Sequence, residues 1–135
     1  MTGGYMLAFA PLSLAAVVDV DRRMIPDQAV FLIACCALFD LGAGTTSVPA
    51  MLAGMILLGG LLLAGAVHTG GIGGGDIKLS AALGALLGPY GGLLMLLLSL
   101  VLLITAGKLS HQLALPFAPF ILGAFYIYAI VSTLL

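Results

Sequence analysis

The sequence predicts an all-α integral membrane protein of six transmembrane helices with no soluble domain, and three observations carry that prediction. Of its 135 residues, 63% are hydrophobic and only 7% charged, there is no Glu or Trp, and the mean hydropathy is +1.32. A soluble domain is about 45–50% apolar and roughly 25% charged. The apolar residues fall into six stretches separated by glycine, proline or charge, and most of the charged residues gather at the borders of those stretches. The chain, 1–135, reads as a single polytopic membrane domain.

The six segments lie near 4–19, 28–44, 48–67, 77–89, 91–108 and 114–134, judged by the about 20 apolar residues, with about 17–25 tolerated, that a helix needs to span a bilayer. The first is not a cleavable signal peptide, because its start lacks basic residues and it runs into Asp19 rather than a small-residue cleavage site. The second follows Pro26-Asp27, where Asp27 suits a helix N-cap. It contains Cys35 and Cys36, whose adjacency rules out the Cys-x-x-Cys pairs of a zinc ribbon, and both read as buried small residues. The third is apolar throughout. The fourth, Ile77 to Pro89, covers only about 20 Å at the helical rise, so either Asp76 dips below the membrane surface or the helix continues past Pro89. The fifth ends at Lys108 and the sixth begins around Leu115-Pro116.

Orientation follows from the basic residues. Arg22, Arg23, Lys78 and Lys108 all fall in or beside the connections after the first, third and fifth segments, whereas Gly42–Ser47 and Gly88–Gly92 carry none. The positive-inside rule makes the first set cytoplasmic and puts both termini on the far side. Four basic residues and a net charge of −1 exclude a nucleic-acid-binding face.

Two carboxylates lie at that cytoplasmic border. Asp19 closes the first apolar stretch, and Asp76 ends the glycine run Gly70-Gly71-Ile72-Gly73-Gly74-Gly75 ahead of Lys78. Carboxylates at membrane depth are costly and mark function. Peptide hydrolysis by two such groups needs one ionised, to take a proton from water, and one protonated, to donate to the carbonyl oxygen; two close carboxylates share a proton in this way. Gly70, Gly71, Gly73, Gly74 and Gly75 would allow close approach of an extended substrate, and their spare backbone groups could pair with it as an added strand. The alternative is a glycine-rich turn with Asp76 as the N-cap of the fourth helix, and the two roles can coexist.

Three stretches resemble the type IV prepilin peptidases and, more broadly, the GxGD intramembrane aspartyl proteases. Asp19-Val20-Asp21-Arg22-Arg23-Met24-Ile25-Pro26-Asp27 is similar to the family's Asp, five variable residues, then Ile-Pro-Asn/Asp. The run from Gly70 to Lys78 matches its GGxGxGDxK pattern, and Leu115-Pro116-Phe117-Ala118-Pro119-Phe120 is similar to its Pro-Phe-x-Pro. The resemblance implies that Asp19 and Asp76 are the catalytic pair, with no cofactor. It also implies a prepilin or pseudopilin substrate, whose short basic leader is cut at the cytoplasmic face of the inner membrane just before its hydrophobic helix, in the service of pilus biogenesis or protein secretion. Larger members carry an N-terminal cytoplasmic region with Cys-x-x-Cys pairs and methylate the new N-terminus. This chain has about eighteen residues before Asp19 and no such pairs, so it resembles the short, peptidase-only branch that serves Flp or tight-adherence pili, and N-methylation is not expected.

The remaining ionisable residues have blander readings. Asp21 lies about 200° around a helix from Asp19 and faces headgroup water, so no metal-binding Asp-x-Asp is expected. Asp40 reads as solvated at the opposite interface, and His68 and His111 as interfacial. Lys78 either snorkels to anionic lipid or holds Asp76 charged. Asp21, Pro26, Asp27 and Lys78 are possible auxiliary residues of the site. Two other readings remain open: a small ion- or proton-coupled transporter, which should hold a carboxylate near the bilayer midplane, and a protease of the presenilin type, which shares only the GxGD tetrapeptide.

Overall fold

A computed structural model describes residues 3–22, 24–111 and 115–135. The described residues form five helices: α1 (Gly3–Arg22), α2 (Asp27–Gly42), α3 (Val48–Thr69), α4 (Gly74–Ser110) and α5 (Ala118–Leu134). No strand occurs among the described residues. Three of them, α1, α3 and α4, are long and apolar enough to cross a membrane; α5 is apolar but shorter.

The expected fourth and fifth segments are one helical element, α4, broken inside. Gly88 adopts φ 79 and ψ 178, directly before Pro89. Proline pushes the residue before it toward extended ψ, and only glycine combines that with positive φ at low strain. The break is a reversal: a methyl placed on Gly92 would lie 3.3 Å from Gly84 Cα, although eight positions of straight helix span about 12 Å. Residues 74–87 and 89–110 are therefore two arms folded against each other. The first arm begins at Gly74, earlier than the expected 77, because Gly73 at the cap position starts it. The last helix starts at Ala118, since 115–117 are not helical and Pro119 sits in its first turn; the expected start at 114 lies outside the described residues, as does Arg23.

Small residues set the packing distances. The buried face of α1 is Gly4, Ala8, Pro11, Leu12, Ala15, Ala16 and Asp19, a stripe repeating every three or four residues. Helix α3 buries Gly54, Leu58 and Leu62, and Gly54 meets Gly84 of α4 backbone to backbone, with no room for a methyl on either. Small residues bring helices together in this way where lipid supplies no hydrophobic driving force. The first arm of α4 is buried almost continuously from Leu79 to Gly88 and forms the centre of the bundle. Helices α1 and α5 meet through aromatic edges, with Phe9 and Phe125 centroids 4.8 Å apart. Large apolar side chains such as Phe31, Ile56, Val101 and Ile130 point outward.

Two expectations are corrected here. Asp40 is not solvated: it is 1% exposed and accepts the Gly4 N–H at 2.9 Å, because Gly4 carries one of the amides that the start of α1 leaves without an intrahelical partner. Of the two cysteines, Cys36 is buried but Cys35 is exposed on the outer face of α2.

Candidate active site

One end of the bundle collects the residues singled out by their chemistry. Asp19 lies in the last turn of α1 and is 5% exposed. Its Oδ2 accepts the N–H of Ala118, the first residue of α5, at 3.0 Å. The Pro-Phe-Ala-Pro stretch thus supplies a helix N-terminus, whose unpaired amides and dipole favour a carboxylate. Nothing in the local sequence around Asp19 or Ala118 signals this bond, because it joins positions 99 residues apart.

Asp76 sits in the first turn of α4 and is half-buried. It is not the N-cap: Gly73 holds that position, and Asp76 follows three residues later. Its carboxylate folds back over the cap, so that a methyl on Gly73 would lie 3.7 Å from Asp76 Oδ2. Asp19 and Asp76, from different helices, are close enough for their charges to act on each other.

The glycine loop has a defined course. Gly70 ends α3 in the left-handed conformation, φ 68, with its N–H donating to Ala66 O at 2.7 Å. Gly71 is exposed, and its N–H donates to Thr69 Oγ1 at 3.4 Å. Ile72 anchors the loop by packing against Gly65 of α3. Gly73 and Gly74 are exposed. Gly75 is the point of close approach to the α1–α2 connection: a methyl there would lie 3.2 Å from Ile25 Cβ.

The auxiliary residues divide. Asp21 is exposed, around the helix from buried Asp19. Pro26, not Asp27, caps α2; its carbonyl accepts the Ala29 N–H at 3.1 Å, and Asp27 is the first helical residue. Asp27 is thereby free to reach Lys78, whose Nζ donates to Asp27 Oδ1 at 3.3 Å. This partner is neither of the two expected for Lys78. His68, in the last turn of α3, and His111, which ends α4, are exposed near this same end. Among the described residues no three His, Cys, Asp or Glu side chains converge as a metal-ligand set.

The fold and this site define an all-helical membrane protein with two carboxylates, Asp19 and Asp76, near one end. The model of the type IV leader peptidase family matches residues 6–108, most of the chain, and the protein belongs to that family of peptidases. No curated protein and no solved structure matches it. The matched region contains Asp19 and Asp76 but stops short of Ala118, which the hydrogen bond to Asp19 joins to the same site.

Proposed function

We propose that the protein is a six-pass aspartic endopeptidase of the inner membrane that removes the leader of a type IV prepilin or pseudopilin at the cytoplasmic face, without methylating the new N-terminus. The single observation that supports this reading is that Asp19, in the last turn of α1 and bonded to the start of α5, and Asp76, in the first turn of α4, lie at one end of the bundle within electrostatic reach of each other. In this mechanism the ionised carboxylate takes a proton from water as the water attacks the scissile carbonyl. The protonated one donates to the carbonyl oxygen; as the C–N bond breaks, the proton taken from water passes to the leaving amine and the second carboxylate recovers a proton from the gem-diol. The Ala118 amide holds Asp19 in place, and the exposed backbone of Gly71, Gly73 and Gly74 offers donors and acceptors to an extended leader. A position at one end of the bundle, rather than midway along it, favours a peptidase over an ion-coupled transporter. Six passes follow if each arm of α4 crosses separately, as the reversal at Gly88 permits.

Co-expression with candidate prepilins tests the proposal. The protein is expected to shorten one of them by its leader and leave a free, unmethylated N-terminal amine in the mass spectrum. Full-length prepilins throughout, with the protein inserted, would contradict it.

A further inference from the structure

The gap between Asp19 and Asp76 depends on how the connection that follows α1 sits against the start of α4, and among the described residues two contacts join these parts close to the two carboxylates. Gly75 packs on Ile25, and Lys78 Nζ reaches Asp27 Oδ1 at 3.3 Å. They flank Asp76 on one partner and follow Asp19 on the other. The apolar contact alone permits sliding, because a glycine offers no side chain to interlock. The ion pair supplies direction: it fixes one point on the start of α2 to one point on the first turns of α4. We infer that Asp27 and Lys78 are positioning residues, a clamp that holds the α1–α2 connection on α4 and so fixes the separation of the two carboxylates. The inference rests on the peptidase reading above for its catalytic consequence, but its geometric content stands apart from it.

Both side chains are largely exposed, at 61% for Lys78 and 80% for Asp27. An exposed pair contributes little to folding, so variants should insert normally. Its effect is on geometry, and displacement of catalytic groups by even about 1 Å can reduce turnover by about a hundredfold. Neither residue is asked to touch the substrate.

The experiment compares D27K, K78D and the D27K/K78D double reversal in the full-length protein. Turnover of a prepilin is expected to fall at least about tenfold in each single reversal, with KM within about twofold, and to return in the double. Spin labels at positions 22 and 74, with Cys35 and Cys36 replaced, give a second readout that needs no substrate. A narrow distance distribution should broaden in each single reversal and narrow again in the double. Unchanged distributions in the singles, or a double as broad as the worse single, overturns the clamp even if no prepilin is cleaved. So does a loss confined to KM, which would make the pair a leader-binding element. Absence of cleavage by the wild type, with the expected distance pattern, counts against the peptidase reading and leaves the clamp standing.

Discussion

Asp19 and Asp40 are both buried, and each accepts a backbone amide from the start of a helix other than its own. A carboxylate in that position meets donors that would otherwise lack partners, which is how the bundle tolerates it. The two differ in what surrounds them: Asp19 lies within electrostatic reach of Asp76, whereas Asp40 sits at the other end of α1, beside Gly4. Asp40→Ala is therefore expected to leave the Gly4 N–H buried without its carboxylate and to destabilise the protein by about 1–3 kcal/mol, read as a lower unfolding midpoint in detergent. An unchanged midpoint would show that the bond carries no stability. The roles proposed for Asp19 and Asp76 were legible in the residues because a short motif surrounds each. The burial of Asp40 was not, because hydropathy reports the length of a segment and not which distant helix end needs an acceptor.

At the scale of elements, the reversal in α4 rests on two adjacent residues. Gly88 takes a conformation that glycine alone adopts readily, and Pro89 favours its extended ψ. A methyl at Gly88 would touch nothing within 4 Å, so a substitution there tests the backbone alone. Gly88→Ala is expected to cost about 1–3 kcal/mol through strain at positive φ. Gly42→Ala, equally uncrowded but helical, should leave the unfolding midpoint unchanged or slightly raised; equal effects of the two would refute the strain argument. The Gly-Pro pair made this break visible in the sequence. The backbone contact of Gly54 with Gly84 was not visible, since nothing local distinguishes Gly54 from Gly59 or Gly60 on the same helix.

Across the whole molecule, polarity is distributed by end. Arg22, Asp27, His68, Lys78 and Lys108 lie at or near the end that holds Asp19 and Asp76, while the connection through Gly42 to Ser47 lies at the other. If the basic end is cytoplasmic, a cysteine at Gly71 is labelled from the cytoplasmic side and one at Thr45 from outside; the reverse would put the carboxylates in the wrong compartment for a leader. The central claim is that both carboxylates perform one hydrolysis, and it is tested most directly by cleavage of a prepilin by Asp19→Asn and Asp76→Asn, with Asp21→Asn beside them. Each of the first two should insert normally and leave the leader uncut, at least about a hundredfold below wild type as expected for loss of an acid–base group, while Asp21→Asn keeps most activity. Wild-type cleavage by either Asp19→Asn or Asp76→Asn would contradict the account.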